Sequence, residues 1–271
     1  MADYQKEHFL DLVNLEKVYP TKKGPFVVLE NFNLSIPESQ FVCLIGHSGC
    51  GKSTILTMVA GLNEITEGSV SLSGKEINGP GPDRGVVFQA PSLLPWLSAY
   101  ENVMLGVKKV YPHGSKKQRE EIVKHYLDAV GLGDAFDKMP KELSQGMRQR
   151  VGIARAFALK PKMMLLDEPL GMLDALTKQE LQDLIVKLHD EHKLTTLMVT
   201  HDVDDALYFS DRVVMMTNGP KAKVGKILEN DLPRPRDRFT LLDHPNYYKY
   251  REELIGFLES QEHEKKDKSV A

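Results

Sequence analysis

The chain has 271 residues, of which 41% are hydrophobic and 27% charged, as in soluble globular proteins of one or two domains. Its net charge of -3 lacks the basic excess of most nucleic-acid-binding domains, so nucleic acid is not an expected partner. No apolar run approaches the roughly 18 residues of a membrane span, and the acidic start differs from a signal peptide. We therefore expect a cytosolic protein, unless a partner holds it at a membrane.

The first segments alternate apolar and polar residues, the pattern of antiparallel strands with one exposed face. One strand is predicted over residues 9–18 and a second over 27–36, before a continuously apolar, buried strand at 41–45. Tyr19 follows the first of these strands. It is either a packed surface aromatic or a member of the site predicted below.

A glycine-rich loop follows strand 41–45 and opens a helix predicted over 53–60. A polyphosphate needs backbone N–H groups turned inward, a cation at its outer oxygens and a hydroxyl for Mg²⁺. The loop glycines allow the inward N–H groups, Lys52 supplies the cation and Ser53 the hydroxyl. The positive end of the helix dipole also points at the phosphates. We therefore predict a nucleoside-triphosphate site, with Cys50 beside the phosphates, made by Gly46, His47, Ser48, Gly49, Cys50, Gly51, Lys52, Ser53 and Thr54.

A short strand and turn are predicted over residues 68–74 after this helix. Another predicted strand, 84–88, ends at Gln89, whose amide could reach Mg²⁺ or an attacking water. The following loop, 91–97, contains two prolines and the only tryptophan, Trp96, among leucines. Exposed apolar groups on a loop favour a docking surface for another protein. The alternative is a loop packed onto its own domain.

Three helices are predicted after this loop, over residues 99–107, 116–130 and from the segment 143–150 to 159. Ser144 has the side chain of an N-cap for the third helix, and Gly146 exposes backbone at its start. This helix start is either a second anion site, remote in sequence from the first, or an ordinary cap.

A buried parallel strand at 163–166 ends in two adjacent carboxylates, Asp167 and Glu168, which need a cation or a catalytic task. We assign Asp167 to the metal shell through water, and Glu168 to polarising the water that attacks the γ-phosphate. The alternative is a solvated turn. Asp174 lies in the connector to the next helix. His201 ends strand 194–200, where it either bonds the γ-phosphate or is a structural histidine.

Two further strands, 212–216 and 223–228, complete the predicted sheet. They are followed by an extended basic segment at 232–238 and by a final helix at 247–258. The charged composition of residues 261–271 predicts disorder.

The order and spacing of these motifs resemble the ATP-binding subunit of ABC transporters from Leu10 to about Leu228. The resemblance implies an α/β fold, a P-loop nucleotide-binding domain with a RecA-like mixed-sheet core, an antiparallel β subdomain and a helical subdomain. We expect the domain to span 8–229, with the helical subdomain at about 95–158, a C-terminal extension at 230–260 and the tail at 261–271.

The resemblance also implies ATP and Mg²⁺ as ligands and a role for each motif. Residues 46–54 correspond to the Walker A loop, 143–147 to the signature motif and 163–167 to Walker B. The signature usually reads Leu-Ser-Gly-Gly-Gln, whereas Gln145 and Met147 occupy its third and fifth places here. The single residues with implied roles are Tyr19 on adenine, Gln89 of the Q-loop, Ser144 and Gly146 on the γ-phosphate, Glu168 as catalytic base, Asp174 of the D-loop and His201 as switch histidine. The metal would be held by Ser53, Gln89 and Asp167.

In this family two such subunits close head to tail, with each ATP between the Walker A loop of one and the signature helix of the other. The resemblance therefore implies a second ATPase subunit, and membrane permease subunits that dock near Gln89 to Leu97. The protein would be peripheral, on the cytoplasmic face of the inner membrane.

Within the family, residues 81–89 and 94–96 resemble importers of nitrate, taurine, alkanesulfonates and bicarbonate. Residues 171–177 and the C-terminal segment from Leu232 favour the nitrate/bicarbonate branch. We expect import of a small anion, nitrate first, with bicarbonate, taurine or an alkanesulfonate as alternatives, delivered by a solute-binding protein. The second ATPase would be a longer homologous chain or an identical one.

Two other classes of protein share parts of this pattern. A soluble ABC protein of translation or DNA repair usually has two nucleotide domains or a long coiled-coil insert, which are not found here. A small-molecule kinase would use the phosphate loop but leave Ser144, Glu168 and His201 without a task.

Overall fold

The computed structural model describes residues 7–270, which form two compact units. Unit 1 contains the described residues up to Pro80 and those from Thr195 onward, and unit 2 is Gly81–Leu194. In chain order the elements are β1 (Leu10–Thr21), β2 (Gly24–Ile36), β3 (Phe41–Ile45), α1 (Lys52–Val59), β4 (Glu67–Leu72), β5 (Lys75–Glu76), β6 (Arg84–Val87), α2 (Ala99–Val110), α3 (Lys116–Ala129), a 3₁₀ turn (Pro140–Glu142), α4 (Gln145–Phe157), β7 (Met163–Asp167), α5 (Ala175–His192), β8 (Thr195–Val199), α6 (Val203–Phe209), β9 (Arg212–Met216), β10 (Val224–Glu229), α7 (Arg238–Leu242) and α8 (Pro245–Val270).

Unit 1 contains an antiparallel sheet of order β2-β1-β4-β5. Its second sheet is mixed: β3 pairs in parallel with β8 and β9, and β10 pairs antiparallel with β9. All five residues of β3 are buried, as the continuous apolar run predicts for a parallel strand covered on both faces. The α/β fold with an antiparallel sheet is therefore confirmed.

Unit 2 contains the parallel strands β6 and β7 and the helices α2 to α5. Helices α2 and α3 begin with capping boxes, Ser98 with Glu101 and Ser115 with Gln118, in which each side chain bonds the other residue's backbone N–H. Their apolar faces form the core of this helical part, which includes Val103, Val123, Leu127 and Val151.

The C-terminal segment differs most from the sequence-based expectation. Two short helices, α6 and α7, follow N-caps at Asp202 and Asp237 that the pattern analysis did not use. Helix α8 continues past the expected end at Leu258 through a segment whose charged composition predicts disorder, and Ala271 lies outside the described residues. Glutamate, lysine and glutamine are good helix formers, so this composition is compatible with a helix.

The basic segment at 232–238 is held against residues 208–211, which also belong to unit 1. Arg234 pairs with Asp211 at 2.9 Å, and the buried Arg236 donates to the carbonyls of Tyr208 and Ser210. Its arginines therefore bind the end of α6 in this structure. Within the residues that the structure describes, no helix combines the length and apolarity needed to cross a membrane.

Candidate functional site

The phosphate loop joins β3 to α1 in unit 1, and its backbone conformation depends on glycine. Gly49 has φ 82° and Gly51 has φ 99°, conformations that L side chains rarely adopt. Gly51 is also the N-cap of α1 and provides no side-chain acceptor, so no cap bond occupies the first N–H groups of this helix. An uncapped helix start behind a glycine loop is a site for an anion.

Lys52 provides the positive charge of this loop, although its side chain is only 6% exposed. Its ammonium donates to the carbonyl oxygens of Gly46 at 2.6 Å and His47 at 3.1 Å. Among the residues described, no carboxylate pairs with it. A buried cation whose oxygen partners are neutral favours an anionic ligand, so the loop fits a polyphosphate.

The side chain of Cys50, a residue expected beside the phosphates, is buried in this structure. Its thiol is 1% exposed and is turned towards Gly46, where an added Cβ would lie 2.8 Å from the sulfur. Burial raises the pKa of the Cys50 thiol, and the nearby Lys52 charge opposes that rise. Cys50 can therefore reach a nucleotide only through its backbone.

Other loop residues differ in exposure. Ser48, Gly49 and Ser53 are exposed, whereas His47 and Thr54 are half-buried. The His47 ring donates from Nε2 to the carbonyl of Leu258 in α8, at 2.7 Å. This contact links the phosphate loop to the last helix, and no pattern in the sequence indicated it.

Tyr19 lies near the end of β1 and is 38% exposed. Its hydroxyl accepts a bond from Asn63 at 2.8 Å, and the Lys17 ammonium lies 4.7 Å from the ring centroid. These two contacts fix the ring, and neither partner belongs to the phosphate loop. Stacking on adenine stays a prediction. His201, also in unit 1, is exposed two residues after β8.

Unit 2 brings Gln89 and Glu168 together. Strands β6 and β7 pair in parallel with Val87 opposite Leu166, so residues two positions further on emerge at the same edge. The Gln89 amide donates to Glu168 Oε2 at 3.2 Å. Glu168 has φ 44°, a left-handed conformation that is uncommon for residues other than glycine. Asp167, the last residue of β7, is half-buried.

The start of α4 and the start of α5 are in contact in unit 2. Ser144 caps α4 by accepting from the Met147 N–H at 3.2 Å, and Asp174 caps α5 by accepting from the Thr177 N–H at 3.1 Å. Gly146 lies against Thr177, and a Cβ there would overlap the threonine methyl group. Hydrogen bonds from Thr177 lower the pKa of Asp174, so this carboxylate is anionic at neutral pH.

Sequence reasoning missed the residues that hold the loop 89–97. The buried Asn102 bonds the backbone of Leu94 and Leu97, Gln149 donates to the Phe88 carbonyl at 3.1 Å, and Arg155 donates to the carbonyls of Pro91 and Ser92 at 3.0 Å. The signal that could have found them is a polar residue on the apolar face of a helix. The loop backbone is thus fixed while Trp96 stays 69% exposed.

The family model described as ABC transporter matches residues 29–171, which include the phosphate loop, the Gln89–Glu168 pair and the start of α4. The chain belongs to the ABC transporter family. This ABC protein is 51% identical to the bicarbonate transport ATP-binding protein CmpD of Synechocystis sp., over 95% of this chain and 91% of the relative. It is 50% identical to the nitrate import ATP-binding protein NrtD of Synechococcus elongatus, over 92% and 91%.

A longer relative also matches. The ABC chain is 51% identical to the bicarbonate transport ATP-binding protein CmpC of Synechocystis sp. over 95% of its residues, but these span only 39% of CmpC. Among solved structures, a dimeric post-hydrolysis state of the ATP-binding cassette MJ0796 bound to ADP and phosphate superposes with a TM-score of 0.74 and 33% identity, over 83% of this chain and 100% of that one. The resemblance inferred from the sequence is thereby confirmed, and this chain is an ABC-type ATPase.

Proposed function

We propose that this chain is the ATP-hydrolysing subunit of a membrane importer for a small planar oxyanion, nitrate or bicarbonate. The observation that carries the proposal is the buried Lys52 ammonium, which has neutral carbonyl partners beside the uncapped start of α1. Relatives named for nitrate import and for bicarbonate transport, both about half identical over most of this chain, support the solute class.

The residues of unit 1 hold the nucleotide in this proposal. Lys52 and the N–H groups of residues 46–54 bind the β- and γ-phosphates, because the loop presents N–H groups and no carboxylate. Tyr19 offers an aromatic face to adenine, and His201 bonds the γ-phosphate. Mg²⁺ when bound screens the phosphate charge. Ser53 and Gln89 would hold this ion, with Asp167 acting through water.

Glu168 is the proposed base for the attacking water. A carboxylate offers about four acceptor positions, so it can take hydrogen bonds from both Gln89 and a water. The Gln89 bond at 3.2 Å fixes the direction of the carboxylate. A proton of the water then moves to the carboxylate as the water oxygen attacks the γ-phosphorus. The bond from this phosphorus to the oxygen that bridges it to the β-phosphate breaks, so ADP and phosphate leave.

Three kinds of partner complete the proposed transporter. The exposed Ser144, together with Gly146 and Asp174, faces the ATP of a second ATPase subunit, which is either an identical chain or a longer one of the CmpC kind. Permease subunits dock on the segment Gln89 to Leu97, where Trp96 is exposed on a fixed backbone. The chain is then peripheral, on the cytoplasmic face of the inner membrane, and a solute-binding protein delivers the anion.

The test is to isolate the tagged chain from detergent-solubilised membranes, identify its partners by mass, and measure phosphate release by the complex in liposomes. Nitrate, bicarbonate and taurine are added separately, each with its binding protein. We expect a permease, a second ATPase and stimulation by one of the first two anions. Stimulation by taurine alone would overturn the solute class, and recovery with ribosomes or DNA-repair proteins would overturn the transport function. A Glu168→Gln complex is the control for contaminating ATPases.

A further inference from the structure

Residues 247–257 of helix α8 fix it to the mixed-sheet part of unit 1. The Tyr247 hydroxyl donates to Asp204 at 2.8 Å, and Glu253 pairs with Lys226 of β10 at 2.9 Å. The Phe257 ring lies over Gly225, where an added Cβ would come within 2.5 Å of the ring. These anchors hold the helix in place before it reaches the phosphate loop.

The segment Leu258–Gln261 of α8 meets the phosphate loop directly. His47, inside the loop, lies with its Nε2 at 2.7 Å from the carbonyl oxygen of Leu258. A carbonyl oxygen only accepts, so Nε2 carries the proton and donates. The contact therefore holds one defined orientation of the His47 ring, although the two residues are 211 positions apart in the sequence.

A second connection runs through the end of β9. Gln261 is only 7% exposed, and its side-chain oxygen accepts from the Asn218 backbone N–H at 3.0 Å. The Asn218 side chain in turn donates to the Gln261 carbonyl. The next residue, Gly219, lies against the loop, since a Cβ on it would come within 3.1 Å of the Gly49 carbonyl. The loop is thus held by α8 both directly and through residues 218–219.

We propose that the segment Leu258–Gln261 positions the phosphate loop, so that the C-terminal extension sets the affinity for nucleotide. His47 and Gln261 are the positioning residues. A loop with positive-φ glycines loses much conformational entropy when it closes on a ligand. Contacts that order the loop beforehand reduce that cost and increase affinity. The inference rests on nucleotide binding by the loop and is independent of the transported solute.

The experiment measures Mg-ADP binding to the full-length chain by calorimetry, because ADP is not hydrolysed. Gln261→Met keeps the side-chain length but removes the acceptor for Asn218, and His47→Ala removes the direct bond. Each change is expected to weaken binding about threefold to tenfold, the range of one hydrogen bond. Glu259→Met, at an exposed position of the same helix, is the matched control and should change binding less than about twofold.

The double variant and hydrogen exchange separate positioning from general destabilisation. Because both bonds hold the same segment, the double variant should lose less than the product of the single effects. Exchange of the amides of residues 46–52 should accelerate in Gln261→Met but not in Glu259→Met. By linkage, ADP should slow exchange at residues 254–261 of the wild-type chain.

Wild-type affinity in Gln261→Met, or multiplicative effects in the double variant, would overturn the inference. A wild-type chain that binds no ADP would instead overturn the proposed ATPase function, so the two failures are distinguishable.

Discussion

Replacing Gly146 by alanine tests how the start of α4 packs on α5. The new Cβ would overlap the Thr177 methyl carbon, Cγ2, whereas the Thr177 hydroxyl oxygen would lie 3.9 Å away, in ordinary contact. Thr177 cannot rotate away freely, because β-branched side chains in helices have few χ1 positions and its hydroxyl bonds Asp174. The clash must therefore shift one helix start against the other within unit 2.

The change in stability caused by Gly146→Ala is the sum of two opposing effects. Overpacking of this kind costs about 1–3 kcal/mol, and the better helix propensity of alanine returns at most about 1 kcal/mol. We expect a net loss of about 1–2 kcal/mol, which lowers the melting temperature by roughly 2–8 °C in a chain of this size. ATPase activity should fall further, since Ser144 and the helix start move with the backbone.

The assay compares the thermal unfolding of four chains: wild type, Gly146→Ala, Thr177→Ser and the double variant. Thr177→Ser removes only the overlapping methyl group and keeps the hydroxyl, so the double variant should recover most of the lost melting temperature. A Gly146→Ala chain that melts like the wild type would refute the packing argument. A double variant that melts like Gly146→Ala alone would also refute it.

Four further predictions concern the site. Glu168→Gln should keep nucleotide binding but slow phosphate release about 10²–10⁴-fold, measured under single turnover, and unchanged turnover would place the base elsewhere. Iodoacetamide at pH 8 should label Cys50 slowly with or without ATP and rapidly in urea, because the thiol is buried and burial raises its pKa. Fast labelling that ATP slows would show instead that the thiol lies at the phosphate site. Because the pKa of the folded thiol is raised, the free energy of unfolding should fall above about pH 9, where the thiol of the unfolded chain ionises. This fall should be smaller in Cys50→Ala when unfolding is measured against pH. Ser144→Ala should cost about 0.5–2 kcal/mol in urea unfolding, since it removes the cap of α4, and Ser144→Asp should not, because aspartate retains the acceptor.

Local patterns predicted most of the secondary structure. The apolar runs at β3 and β7 and the serine cap of α4 depend on neighbours in the chain, so they can be identified without knowing the fold. The failures lie in the C-terminal segment. Helices α6 and α7 are too short for a periodic pattern, and the charged end of α8 has a composition that suits both a helix and a disordered chain.

The sequence by itself determined the phosphate loop and the residues expected to act with it, because glycine spacing, Lys52 and strand-end carboxylates have a chemical meaning that needs no coordinates. Only the tertiary structure decided which of these residues are in contact. Gln89 bonds Glu168, which lies 79 positions further along the chain, because β6 and β7 pair in register. Gly146 likewise contacts Thr177 across two helix starts. The tertiary structure also decided that the Cys50 thiol is buried and that His47 is bound to α8. The physical reason is that burial and long-range contact depend on which distant segment covers a residue, and a local pattern contains no record of that segment.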